Sequence, residues 1–81
     1  MRVTVRLFAH LRDLAGTGEL VRELPPGATV GGVWEALIAD WPDFAPYARS
    51  MTCAVNADYS RMTATVADGD EIAFLPPVSG G

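Results

Sequence analysis

Apolar and polar side chains alternate along the first stretch of the chain. From Arg2 to Phe8, Val3, Val5 and Leu7 share one face, and Thr4, Arg6 and Phe8 share the other. A period of two predicts a half-buried β-strand. Ala9 to Leu14 reads as a short helical turn, stopped by Gly16-Thr17-Gly18. Alternation resumes from Glu19 to Leu24, which predicts a second strand and a hairpin partner for the first. Pro25-Pro26-Gly27 then breaks it.

The period changes next. Val30, Val33, Trp34, Leu37, Ile38 and Trp41 follow helical spacing, with Thr29 as candidate N-cap and Pro42 as the stop. Gly31 and Gly32 lie in the first turn, where the cost of about 1 kcal/mol per interior glycine is reduced. Residues 43–47, DFAPY, read as an irregular connector. Met51 to Asn56 predicts a third strand, with Met51, Cys53 and Val55 on one face. Asn56-Ala57-Asp58 is turn chemistry. A short edge strand is expected within Tyr59 to Val66, a tight turn at Asp68-Gly69-Asp70, and a last strand from Glu71 to Leu75 with Ile72 and Phe74 facing the core. Pro76 and Pro77 prevent its continuation.

The element order is therefore β-β-α-β-(β)-β. A hairpin, one main helix and further strands make an α+β domain, a mixed sheet with the helix across one face. The helix serves as the crossover that sets a later strand parallel to the first. This is the β-grasp, or ubiquitin-like, arrangement, expected over residues 1–77, with a flexible tail at 78–81.

Composition narrows the function classes. The chain has 81 residues and is 49% hydrophobic, which fits one small globular domain. Apolar runs are too short to span a membrane, and MRVTVRLF lacks the continuous apolar stretch of a secretory signal, so a cytoplasmic location is expected. The net charge is −4, and every basic side chain is arginine. An acidic domain argues against nucleic-acid binding and suits a basic protein partner through steering. One cysteine and one histidine, Cys53 and His10, leave neither a disulfide nor a clustered metal site.

Conventional catalytic apparatus is missing. Cys53 falls on the apolar side of a strand and reads as core; His10 reads as a surface residue. Gly31-Gly32 lacks the lysine and spacing of a phosphate loop. Asp68, Asp70 and Glu71 flank a glycine turn and read as solvated, with contact to a basic partner as the alternative. The sheet offers more. If Val3, Val5, Leu7, Ile72 and Phe74 face the helix, then Phe8, Ala73 and Leu75 face away, joined by Ala54 and Tyr59. A contiguous apolar patch on the uncovered side marks a binding surface. The tail LPPVSGG continues from it. Its last special group is the α-carboxylate of Gly81, on a thread thin enough for a narrow pocket.

The motifs resemble the small subunits of molybdopterin synthase, sulfur carriers of the ubiquitin-like superfamily. LFAHLRDLAG carries Phe8, Ala9, Arg12, Asp13, Leu14 and Gly16 of their F-A-x-x-R-E/D-L-x-G pattern. Val55-Asn56 matches their V-N pair, and DGDEIAFLPPVSGG matches their terminal motif almost residue for residue. The resemblance implies that an activating enzyme of the ubiquitin type uses ATP to adenylate Gly81, and that sulfur then displaces AMP to leave a thiocarboxylate. The tail would enter the large subunit, within a heterotetramer, and pass sulfur to cyclic pyranopterin monophosphate in molybdenum cofactor biosynthesis. Gly81 would carry the reacting group, Gly80 would keep the channel clear, and Ser79, Val78, Pro77 and Pro76 would thread the tail. Phe8, Tyr59 and Leu75 match the family's docking surface. By itself the chain would bind no cofactor or metal and catalyse nothing. Arg12 is left between a structural ion pair and a docking contact. Other readings are a carrier for thiamine, cysteine or tRNA thiolation, a protein modifier joined to lysines, and an adaptor with an idle tail.

Overall fold

The computed structural model describes residues 1–77. Five strands form one mixed sheet: β1 (Arg2–Leu7), β2 (Glu19–Glu23), β3 (Thr52–Val55), β4 (Asp58–Ser60) and β5 (Glu71–Leu75), in the order β2-β1-β5-β3-β4. β1 runs parallel to β5 at the centre, and the other pairings are antiparallel. A short helix α1 (Ala9–Ala15) and the main helix α2 (Val30–Asp40) complete the α+β domain. A hairpin, a helix across the sheet and a last strand set parallel beside the first make the β-grasp topology.

The covered face follows the alternation. Val3, Val5 and Leu7 of β1, Ile72 and Phe74 of β5 and Cys53 of β3 are buried. They pack in one cluster with Val30, Val33, Trp34 and Leu37 of α2. Each fully buried aliphatic or aromatic side chain contributes about 1.5–3 kcal/mol of apolar transfer, so this cluster supplies most of the fold's stability. The Thr29 hydroxyl accepts from the Gly32 amide at 3.1 Å, the N-cap expected from sequence. Gly16 ends α1 with φ +76, a conformation glycine adopts without strain.

Several boundaries differ from the sequence reading. The helical spacing runs through Trp41, yet α2 ends at Asp40, and Trp41 takes φ −130 and ψ 84. The ring of Pro42 disfavours the helical region for the residue before it. The segment expected to be irregular is a regular 3-10 turn, Pro42–Tyr47, with Phe44 fully buried. Phe44 stacks on Trp34 and Trp41, at centroid distances of 5.6 and 5.5 Å, and Trp34 meets Phe74 at 5.1 Å. β3 is shorter than predicted because Asn56 leaves the strand with φ +50.

The edge strand is also short, and beyond Ser60 the chain turns to cap α2. The Val30 and Gly31 amides donate to the carbonyls of Ala64 (2.9 Å) and Met62 (2.7 Å). That approach explains Gly31, since a Cβ there would lie 3.1 Å from the Met62 carbonyl oxygen. Among the described residues, no helix is long and apolar enough to cross a membrane.

Candidate functional site

The sheet register assembles one row of side chains across the uncovered face. Glu19 pairs with Arg6, Arg6 with Ala73, Ala73 with Ala54, and Ala54 with Tyr59. Directly paired residues share a face, so all five strands contribute to this row. Two alanines at its centre leave a shallow floor. Phe8, Leu75 and Tyr59 stand around it, and Arg6, Glu71 and Ala57 complete a concavity of about 390 Å³. Tyr59 is 84% exposed and Phe8 39%, so among the described residues no loop covers them. Phe8, Leu75, Ala54 and Ala73 are thus brought together as the alternation predicted, with Tyr59 beside them.

Arg6 and Ala57 did not stand out in the sequence as pocket residues. The signal for Arg6 was present, because it lies between Thr4 and Phe8 on the same strand face. Its guanidinium reaches Glu19 at 3.9 Å and Glu71 at 3.8 Å, both longer than a hydrogen bond. It also lies 5.9 Å from the Phe8 ring centroid, a cation–π contact at the long end of the range. Ala57 has φ +71 and Asn56 φ +50. With Val55 paired to Asp58, these two residues form a two-residue hairpin turn of the primed type.

The acidic segment at the far end of the pocket is more ordered than a purely solvated turn. The Asp70 carboxylate accepts from the Ala67 amide at 2.8 Å and the Asn56 side-chain amide at 2.9 Å. These bonds, the backbone one first, hold its pKa below the ordinary aspartate value. Asn56 also accepts from the Glu71 amide at 3.0 Å. Asp68 accepts from the Arg2 amide at 2.7 Å. Asn56 is therefore a latch that ties the β3–β4 turn to the start of β5.

The remaining candidates fall elsewhere. Cys53 is buried among core residues, its thiol donates to the Ser60 carbonyl at 3.1 Å, and desolvation raises its pKa. That state disfavours the nucleophilic thiolate. His10 is exposed and sits 5.7 Å from the Tyr47 ring, away from Cys53's strand. Arg12 is exposed; its stem runs past Gly18, where a Cβ would lie 3.4 Å from it, and among the described residues it forms no ion pair. Among the described residues there is also no group of three or more potential metal ligands. Pro76 and Pro77 lead away from Leu75 at the pocket's edge. Val78, Ser79, Gly80 and Gly81 lie outside the described residues.

A ubiquitin-like sheet with an open apolar face beside the start of a terminal segment defines a class of carrier and modifier domains. Within that class, the chain belongs to the ThiS family, whose sequence profile matches residues 5–81. It is 36% identical to a molybdopterin synthase sulfur carrier subunit of Chlamydomonas reinhardtii, over the whole of both chains. The corresponding Arabidopsis thaliana subunit is 32% identical, over all of this chain and 84% of that one. The crystal structure of SAMP1, small archaeal modifier protein 1, from Haloferax volcanii superposes with a TM-score of 0.86 at 28% identity, covering 100% of each chain.

Proposed function

We propose that this chain is the sulfur-carrying small subunit of a molybdopterin synthase. The observation that carries the reading is continuity. In a member of the ThiS family, the apolar pocket of Phe8, Tyr59 and Leu75 runs directly into Pro76 and Pro77, the root of the terminal segment. A partner seated on that pocket receives the tail in a fixed direction, and the two prolines lower the entropy lost when the tail is ordered.

The chemistry then belongs to Gly81. An activating enzyme of the ubiquitin type joins its carboxylate to the AMP of ATP, and pyrophosphate leaves. A carboxylate is a poor electrophile, and the acyl-adenylate supplies the missing leaving group. A sulfur donor displaces AMP, and the terminal thiocarboxylate is the soft nucleophile that attacks the pterin precursor inside the large subunit. This chain supplies docking, threading and the reacting terminus. Acid–base groups and the pterin site belong to the large subunit, which fits the core position of Cys53 and the surface position of His10.

Intact mass spectrometry tests this after incubation with the activating enzyme, ATP and a sulfur donor. We expect one oxygen to be exchanged for one sulfur at Gly81, and the product to convert the precursor once large subunit is added. An unmodified terminus, under conditions that charge an established carrier, overturns the reading. Removing Gly80 and Gly81 abolishes transfer and leaves the fold intact; an adaptor would keep its function.

The likeness to small archaeal modifier protein 1 favours a second reading, attachment of Gly81 to lysines of other proteins. Activation is shared, and the acceptor differs. Covalent adducts that survive a denaturing gel and carry a Gly81–lysine isopeptide bond would establish it. With no lysine in this sequence, such adducts carry single copies rather than lysine-linked chains.

A further inference from the structure

The pocket on the open face is polarised along β5. Leu75 and Phe8 stand at the end from which the tail departs; Glu71 stands at the other, two rows away. Between them Ala73 and Ala54 form a floor with no side chain beyond Cβ. One row of the sheet, two residues along a strand, is about 7 Å. That distance matches the stem of an arginine or lysine side chain lying over the alanines, with its head at Glu71.

Charge at that end is out of balance. Arg6 stands between Glu19 and Glu71 at nearly equal distances and is hydrogen-bonded to neither, so two carboxylates share one guanidinium. The Arg6 side chain is 43% exposed and that of Glu71 47%. The whole chain carries a net charge of −4, so the surplus at this end adds to an acidic molecule. A partner carboxylate would meet this surplus. A wholly apolar partner would strip water from Glu71 and offer nothing in return.

We propose that the docking partner places a basic side chain, arginine or lysine, across the Ala73–Ala54 floor and pairs it with Glu71, leaving Arg6 to Glu19. The inference rests on the docking role given to this face above. It assigns opposite parts to two neighbouring charges. Glu71 attracts the incoming head, and Arg6 competes with it.

Isothermal titration of this chain against the molybdopterin synthase large subunit of the same organism reads both. Glu71→Gln is expected to weaken binding about fivefold and to flatten its salt dependence. Arg6→Gln is expected to tighten binding about twofold, because it removes the competing cation. Both side chains are half exposed, so thermal unfolding of the two variants should follow the parent. Unchanged affinity in Glu71→Gln overturns the proposal, as does the reverse pattern, in which Arg6→Gln weakens binding and Glu71→Gln tightens it. Phe8→Ala separates the two levels. If it weakens binding while Glu71→Gln does not, only the basic contact falls. If Phe8→Ala has no effect, or the parent chain does not bind, the docking role of the face falls with it.

Discussion

The two faces of the sheet come from the same strands and differ in what lies over them. On the covered face Val5, Ile72 and Phe74 have no solvent exposure, and the α2 side chains close over them. On the open face their immediate neighbours Arg6, Ala73 and Leu75 border a concavity that nothing in the described chain fills. Buried core and open pocket are therefore interleaved residue by residue along β1 and β5. The arrangement lets one face change without loss of the other. It also predicts that the effects of substitution alternate along the strand.

The sharpest test of that alternation is a pair at adjacent positions. Phe74→Ala removes a fully buried ring from the aromatic row with Trp34 and should cost about 3–5 kcal/mol. A domain of this size has a total stability of about 4–12 kcal/mol, so much or all of the folded population is lost in urea titration. Leu75→Ala should leave the urea midpoint near the parent value and weaken partner binding. Equal destabilisation by the two would break the division between faces.

Tyr59→Ala comes next. The side chain is so exposed that unfolding should not change measurably, whereas affinity for the large subunit should fall about tenfold, the loss typical of an aromatic anchor. A lower melting temperature with unchanged affinity would move Tyr59 from the recognition side of the comparison to the stability side.

A smaller effect is expected at the β3–β4 hairpin turn. Ala57 holds a positive φ that glycine adopts at no cost, so Ala57→Gly should stabilise the hairpin by about 0.5–1 kcal/mol, seen as a raised urea midpoint.

The smallest effect concerns pH. The native pKa of Asp70 is lowered by its bonds to the Ala67 amide and to Asn56. Its contribution to stability is therefore fully present above the ordinary aspartate pKa and is lost as pH falls through the native value. Asp70→Asn should flatten the acid limb of a plot of urea midpoint against pH. Unaltered acid sensitivity would assign that limb to other carboxylates.

Much of this was legible in the residues. Alternation from Arg2 to Phe8 and from Glu71 to Leu75 named both the core and the outward set, and the Thr29 cap with the stripe from Val30 to Leu37 marked the main helix. Phe44 was missed as a core residue because one aromatic between two prolines has no periodicity to read; only the flanking rings of Trp34 and Trp41 explain its burial. Asn56 was read as a turn former, and its bonds across to Asp70 and Glu71 were not visible in a local pattern. Arg6 had the right phase on its strand, but its sharing between Glu19 and Glu71 depends on which strands lie on either side.

The sequence by itself determined which side chains on each strand point the same way, because the pleat repeats every two residues and needs no knowledge of distant chain. It also determined where the helix begins and which segments turn. Tertiary structure alone decided what those side chains meet. The parallel β1–β5 register places Arg6 beside Ala73, and the antiparallel β5–β3 and β3–β4 registers extend that row to Ala54 and Tyr59. Register is a long-range property, set by packing of α2 and by hydrogen bonds between segments far apart in the chain. Four isolated outward-facing residues became one pocket only through those pairings.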